Sequence, residues 1–296
     1  MVNRMNRAMR HVYFALSVLC FCMATANGQD IKKMGKLKSP KLTEVSGIVS
    51  SYTHSNLFWV HNDSGDEANI YLIDTLADLK ATVHLEGINV VDAEDIASLM
   101  IDGVPYLLLA DMGNNLRKRD TLSLFLFKEP VFDKDRRSHV VAREDIMEIR
   151  FRYKDKRRDA EALFVDPIDN MIYIISKRDF RSTLFRMSFS EAKAGSVLVL
   201  PPLMQLPLTF ATGADIRQDG GYIIVKNLVA VFLWKREPNQ DIISALSQPY
   251  QQILYKPEPQ GEAICFDRNK NFFYTISERP FGLESYLYKY KYKYEN

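Results

Sequence analysis

The sequence predicts an all-β protein, a single β-propeller of about five four-stranded blades closed by an N-terminal strand. Three observations carry this. From Glu44 onward the chain is short apolar runs, rich in β-branched and aromatic residues, separated by Gly, Asn, Asp and Pro; that is the grammar of strands and turns. One phrase recurs along it, a short polar turn opening onto an apolar step, then a second apolar run that ends abruptly in polar residues. The last copy lacks an obvious fourth strand, while the first is preceded by a spare one, Ile31–Leu37.

The five copies begin Val45-Ser46-Gly47-Ile48, Asp92-Ala93-Glu94-Asp95-Ile96, Asp159-Ala160-Glu161-Ala162-Leu163, Gly213-Ala214-Asp215-Ile216 and Gly261-Glu262-Ala263-Ile264. Their second runs end at His61-Asn62-Asp63, Asp111-Met112-Gly113, Lys177-Arg178, Lys226-Asn227 and Glu278-Arg279. A stretch of 296 residues is long enough for two domains, but closed β architectures of this length form one.

The N-terminus reads as an export signal: Arg4, Arg7 and Arg10, an apolar run from Val12 to Met23, then the small residues Ala24-Thr25-Ala26. The apolar run is shorter than the ~20 residues a spanning helix needs. The expected organisation is a signal peptide over residues 1–26 and a propeller over 27–296, exported to the periplasm or the extracellular space. Three of the 39 basic residues leave with the signal, so 36 remain against 37 acidic ones. A net charge near −1 argues against a nucleic-acid or anionic-membrane surface. Cys20 and Cys22 leave too, and a lone Cys265 on an apolar run forms no internal disulfide and reads as a core residue.

Each repeat resolves into strands in turn. The first has Ser46–Ser50, Asn56–His61, Asn69–Asp74 and Lys80–Leu85; the second has Asp95–Met100, Tyr106–Asp111, Leu122–Lys128 and Ile146–Tyr153. The third has Ala162–Asp166, Met171–Lys177, Thr183–Ser188 and Val197–Gln205; the fourth has Asp215–Gln218, Gly221–Lys226, Ala230–Lys235 and Gln251–Lys256. The fifth has Ala263–Asp267, Asn271–Ser277 and Ser285–Tyr290, and Ile31–Leu37 completes it, hiding two sheet edges at once. Two alternatives stand beside this: Tyr290–Tyr294 supplies the missing strand, or Val131–Arg158 hides a sixth, irregular blade. Helical turns are expected only at Ser188–Ala194 and Ile242–Gln248.

The phrases His61-Asn62-Asp63-Ser64-Gly65-Asp66, Asp92-Ala93-Glu94-Asp95-Ile96-Ala97 and Asp111-Met112-Gly113-Asn114-Asn115 resemble the HNDSGD, DWEDIA and GDIGDN motifs of a group of exported bacterial propeller proteins. That group is distantly related to the esterase-like phytase propellers. This chain has Ala93 in place of the Trp and Met112-Gly113-Asn114 in place of Ile-Gly-Asp. The resemblance covers nearly all of the chain after the signal and implies a propeller fold and an exported protein. It implies no reaction.

In a propeller, equivalent positions of successive blades form rings about one axis. The candidate ligand-binding ring is Asn62, Asp63, Asp111, Lys177, Arg178, Lys226, Asn227, Glu278 and Arg279, whose charge changes from copy to copy as a binding surface would. The candidate catalytic carboxylates are Glu94, Glu161 and Glu262, and the candidate metal ligands are Glu94, Asp111 and Glu161. An all-oxygen donor set suits Ca²⁺ or Mg²⁺, and the scarcity of His and Cys disfavours zinc. The competing reading makes these acids blade caps that accept from backbone amides at their own turns. His61 and Ser64 lack a Gly-x-Ser-x-Gly elbow around them.

Two functions fit these residues. One is a monomeric exported propeller holding a small anionic or carbohydrate-like ligand on its central face, with cation-assisted hydrolysis, esterase- or phosphoesterase-like, as its enzymatic form. The other is a non-catalytic scaffold whose partner is a protein.

Overall fold

Most apolar runs among the described residues become strands packed between neighbouring sheets. In the computed structural model, which describes residues 31–192, 195–268 and 271–294, five antiparallel sheets radiate from one axis. The expected signal segment, with Cys20 and Cys22, lies outside the described residues.

Blade 1 is β2 (Val45–Ser50), β3 (Leu57–Asn62), β4 (Asn69–Asp74) and β5 (Leu79–Leu85), counted outward from the axis. Blade 2 is β6 (Ala93–Ile101), β7 (Val104–Asp111), β8 (Leu122–Lys128) and β10 (Met147–Tyr153). Blade 3 is β11 (Ala160–Val165), β12 (Met171–Ser176), β13 (Thr183–Ser188) and β15 (Met204–Gln205). Blade 4 is β16 (Gly213–Ile216), β17 (Tyr222–Lys226), β18 (Val231–Lys235) and β19 (Gln251–Ile253). Blade 5 is β20 (Ala263–Phe266), β21 (Phe272–Ile276), β22 (Tyr286–Lys291) and, outermost, β1 (Ile31–Lys36).

The strand runs are nearly continuous in apolar residues because each gap between blades holds its own core. Successive side chains of a strand point to opposite faces of the sheet. Along β12, Ile172 and Ile174 enter the core shared with blade 2, while Tyr173 and Ile175 enter the one shared with blade 4. Trp59 and Phe127 fill the gap between blades 1 and 2, Phe273 and Tyr290 the gap between blades 4 and 5, and Phe58 and Tyr274 the gap between blades 5 and 1. Burying one such large apolar side chain contributes ~1.5–3 kcal/mol, so stability rests on packing. Cys265 lies in the last of these gaps, fully buried and unbridged.

The ring closes as the missing strand requires. β1 runs antiparallel to β22, Ile31 opposite Tyr290 and Lys36 opposite Tyr286, with a register shift between Lys33 and Gly35. A side chain at Gly35 would strike the backbone of Leu76. Tyr290 already lies inside β22, so the alternative in which Tyr290–Tyr294 supplies the fourth strand does not hold.

Two expectations are corrected. The run Val197–Gln205 is not one strand, because Pro201 and Pro202 bring no N–H and break the ladder. Its first half, β14 (Val197–Leu200), pairs parallel to β10 at the edge of blade 2, and only Met204–Gln205 pairs with β13. Nor does Val131–Arg158 hide a sixth blade. Its extra strand, β9 (Ser138–Val141), adds parallel to β5 at the edge of blade 1. Both additions cover outer edges that would otherwise present unpaired amides. The helical turns appear as a 3-10 turn at Phe189–Glu191 and α1 (Ile242–Leu246), capped by Asp241.

Innermost strands of adjacent blades are clasped by buried acids. Asp95 accepts from Ile96 N (2.9 Å) and across the gap from Leu163 N (2.8 Å); Asp215 accepts from Ile216 N (2.8 Å) and from Phe266 N (2.7 Å) of the next blade. Asp95→Ala orphans two buried amides and is expected to cost about 2–4 kcal/mol. Chemical denaturation checks it, and an unchanged midpoint would mean that the clasp does not bear on stability.

Candidate functional site

The connections from second to third strand, and from each blade to the next, meet at one end of the ring, here the upper face. At this end, within one residue of the starts of the innermost strands, stand Ser46, Glu94, Glu161, Ala214 and Glu262, one from each blade. Ser46, Glu94 and Glu161 each occupy a register shift, between Val45 and Gly47, Ala93 and Asp95, and Ala160 and Ala162. A bulge of this kind removes a residue from the ladder and re-aims its side chain. It also separates two acids that look equivalent in sequence: Asp95 turns into the blade gap, and Glu94 joins the carboxylates about the axis.

The side chains of Glu94, Glu161 and Glu262 converge. Lys177 Nζ pairs with Glu161 and lies 3.2 Å from Glu262 Oε1. The Ser46 hydroxyl donates to Glu94 O (3.0 Å) and lies 3.3 Å from Glu262 Oε2. Oxygens of Glu94, Asp159 and Glu161 fall within 4.8 Å of one another, as do those of Asp63, Asp92 and Glu94. Asp159 is already satisfied by Asn114 N (2.7 Å) and Arg178 Nε (2.7 Å). Glu94 is different: its side chain is buried in a residue only 2% exposed, and its carboxylate has no hydrogen-bond donor among the described residues. Asp63 Oδ1 is likewise buried without a partner. Gly113 leaves the space for this, since a side chain there would strike Glu94 Oε1 and Asp92 Oδ2.

Carboxylates outnumber the cations among them, and this, with burial, raises their pKa values. Burial first, then Glu161 and Asp63, push Glu94 well above the usual carboxylate range. Burial and then Glu262 raise Glu161 to about 9 against the pull of Lys177. Burial and then Asp92 raise Asp63 to about 7, and burial and then Glu262 raise Glu278 to about 8. Asp92 moves up through burial and then Asp159. Burial would lower Lys177, but the Glu161 and Glu262 charges outweigh it and keep it cationic. A cluster that holds protons this tightly would exchange them for a hard cation.

The other ring residues serve the loops. Asn62 donates to Lys41 O (2.7 Å) and Asp66 Oδ2 (2.9 Å) and accepts from Glu44 N (3.3 Å). Asp111 takes two bonds from Arg119 (2.9 and 2.6 Å) and caps Asp92 N (2.8 Å), so it positions Asp92 and stands outside both carboxylate triads. Lys226 is fully buried, donates to Gly261 O and is lowered by burial to about 8. Asn227 Oδ1 accepts from Val229 N (3.0 Å) and Ala230 N (2.9 Å), and Arg279 reaches Ser39 O (3.2 Å). His61 is buried, its Nδ1 at 2.8 Å from Asn62 O, while Ser64 is exposed, so the two form no nucleophile–base pair.

Asp92 and Asp159 join the cluster although the sequence reading did not single them out. Their signal was present: Asp92-Ala93-Glu94 and Asp159-Ala160-Glu161 repeat one tripeptide. Residues two apart on an extended chain share a face.

At the far end of the axis Arg268 of blade 5 reaches across to blades 1 and 2. Arg268 donates to Ser51 O (2.8 Å), Ser98 Oγ (2.7 Å) and Ser50 O, and stacks 3.1 Å from the centre of the Tyr52 ring. Beside it a cavity of about 20 Å³ lies against Asp215 and Phe266, room for roughly one water.

No protein-family model matches this chain, and no curated protein matches its sequence. Among solved structures, a luciferin-regenerating enzyme aligns at 12% identity over 90% of this chain and 96% of its own, with a TM-score of 0.47. The PQQ-bound form of an aldose sugar dehydrogenase from Streptomyces coelicolor aligns at 11% identity over 90% of this chain and 99% of its own, with a TM-score of 0.48. An auxiliary nutrient binding protein from Bacteroides thetaiotaomicron aligns at 12% identity over 87% of this chain and 64% of its own, with a TM-score of 0.46. These likenesses carry no argument about the site, whose reading rests on its own geometry.

Proposed function

We propose that this exported propeller binds a small anionic or carbohydrate-like ligand at its upper axial mouth through a divalent cation held by Asp63, Asp92 and Glu94. The supporting observation is the Glu94 carboxylate, buried among other acids with no donor of its own among the described residues. An uncompensated buried carboxylate is costly. The second triad differs, because Lys177 and Arg178 already neutralise Glu161 and Asp159. The donor set is oxygen only and irregular, which suits Ca²⁺ better than the strict octahedron of Mg²⁺.

A ligand anion or polyol at the mouth would meet the cation on one side and Arg178, the more exposed of the two basic residues, on the other. The cation, when bound, would supply positive charge and Lewis acidity. Glu161, which keeps its proton to about pH 9, is the residue placed to give one beside it, and hydrolysis of the bound ligand is the enzymatic form of this reading. Residues Arg4–Ala26 support export.

Calorimetric titration with calcium is the test. The wild type is expected to bind with release of protons and with affinity rising between about pH 6 and 8, because cation and proton compete for the same oxygens. Glu94→Gln is expected to weaken binding about tenfold or more. No calcium binding, or equal binding by Glu94→Gln, would refute the site. Phosphoester, lactone and glycoside substrates, with and without calcium, separate turnover from binding.

A further inference from the structure

The upper face carries a second feature that the axial cluster does not use. Over blades 2 to 4, four neighbouring loops end in protruding apolar side chains, Leu116 between β7 and β8 (74% exposed), Phe180 between β12 and β13 (95%), Phe210 between blades 3 and 4 (47%) and Val229 between β17 and β18 (67%); elsewhere the same end exposes Val91, Leu254, Phe281 and Leu283. Large apolar side chains this exposed, on neighbouring loops of one face, mark an interaction surface. The loops form one continuous crescent. Arg117 donates to Arg178 O (3.1 Å), Phe210 N to Lys177 O (3.2 Å), and Asn227 Nδ2 to Thr209 O (3.2 Å). Phe210 has φ of 55°, a left-handed conformation that a bulky residue rarely adopts.

The charges of the crescent decide what it meets. Its acids are spent: Asp120 pairs with Arg157, Asp155 with Arg158, and Asp179 with Arg158 and Lys156. Arg117, Lys118 and Arg181 are exposed and have no ion pair among the described residues. Glu94, Asp159, Glu161 and Glu262 are buried and present little charge to a flat surface, and Asp63 and Asp92 are half-buried. Whole-chain neutrality hides this arrangement, because net charge says nothing about distribution.

We propose that the upper face of blades 2 to 4 docks on an anionic lipid surface, with Leu116, Phe180, Phe210 and Val229 entering the headgroup boundary and Arg117, Lys118 and Arg181 meeting the lipid phosphates. Separate tips, half-exposed to almost fully exposed, suit a deformable interface, where each buries its own apolar area and needs no matching pocket. Basic residues beside them add attraction that salt screens. This surface uses none of the proposed cation ligands, so it stands or falls independently of them.

Co-sedimentation with phosphatidylcholine vesicles, with and without phosphatidylglycerol, tests it. The protein is expected to bind the anionic vesicles, weakly or not at all the neutral ones, and less as salt is raised. The double variants Phe180→Ser/Phe210→Ser and Lys118→Ser/Arg181→Ser are each expected to lose about tenfold or more in partitioning at unchanged melting temperature. Val131→Ser, an exposed apolar residue beyond β8 and so at the lower end of blade 2, serves as the control and is expected to bind as the wild type does. Absence of binding to anionic vesicles would overturn the proposal, as would binding that both double variants retain. A dimer in sedimentation velocity that the phenylalanine variant dissolves, without vesicle binding, would overturn it too by assigning the face to a second copy of this chain.

Discussion

Lys177→Met is expected to cost about 3–5 kcal/mol at pH 8 and much less near pH 5. The ammonium is the partner of both Glu161 and Glu262, and Glu161 sits in a residue only 2% exposed. A methionine fills similar space but leaves the buried Glu161–Glu262 pair, which holds a single proton at pH 8, with a negative charge that nothing answers. The pair escapes only by taking up a second proton or by drawing in a cation. Glu161 already holds one proton at both pH values, being raised to about 9 with its lysine present, and at pH 5 a second proton is available to the pair. At pH 8 binding that proton costs free energy that the unfolded chain does not spend, so the loss grows with pH. Calcium should recover part of it, because the Glu94, Asp159 and Glu161 oxygens already lie within 4.8 Å of one another. Adding Glu262→Gln should recover part as well, by removing a charge the methionine cannot answer. Urea denaturation at the two pH values, with and without calcium, checks all three. Equal losses at pH 5 and pH 8 would show that Lys177 acts through packing and not through its charge.

Much of this architecture could be read from the sequence because the physics was local or cyclic. Each strand has to cover two gaps, so its residues are apolar on both faces, as in Met171–Ser176, and the run is legible without any partner. The missing fourth strand of the last blade announced β1 by arithmetic alone. Pro201 and Pro202 were equally visible, but the place where β14 goes instead is a pairing with blade 2, which no window of sequence contains. The parallel addition of β9 to blade 1 is hidden for the same reason.

The site was legible by level and not by direction. Alignment of the repeats put Glu94, Glu161 and Glu262 on one ring, and side-chain direction then depended on bulges that alignment cannot show. The result is a division between neighbours: Glu94 goes to the axis and Asp95 to the amide of Leu163. The capping role foreseen for the glutamates belongs to the aspartates one place on, and it joins two blades where a cap within one blade was expected. Asp111 was equally opaque, because its partner Arg119 returns to it from the far side of a loop.

Without divalent cations, thermal stability is expected to fall as pH rises from about 6.5 to 8, and calcium is expected to restore it at the upper end. The sign follows from the direction of the shifts. A carboxyl whose folded pKa is raised contributes its stability fully below the unfolded pKa and loses it as pH climbs toward the folded one. Glu161 rises from 4.5 to about 9, so across this window it keeps its proton when folded and has lost it when unfolded. That alone removes about 2 kcal/mol, or about 5 °C for a chain of this size; Asp63 and Glu278, raised to about 7 and about 8, act in the same direction. The window matters because other buried groups oppose them outside it. His61, lowered by burial from 6.5 to about 4, makes stability rise with pH below the window, and Lys226, lowered by burial from 10.5 to about 8, does so above it. A cation on Asp63, Asp92 and Glu94 would replace the protons, so calcium should raise the melting temperature more at pH 8 than at pH 6.5, and Glu94→Gln should lose most of that gain. Differential scanning calorimetry across the window gives the answer. A melting temperature that climbs steadily from pH 6.5 to 8 in chelator would mean that the axial acids are ionised and already compensated, and the case for a cation would go with it.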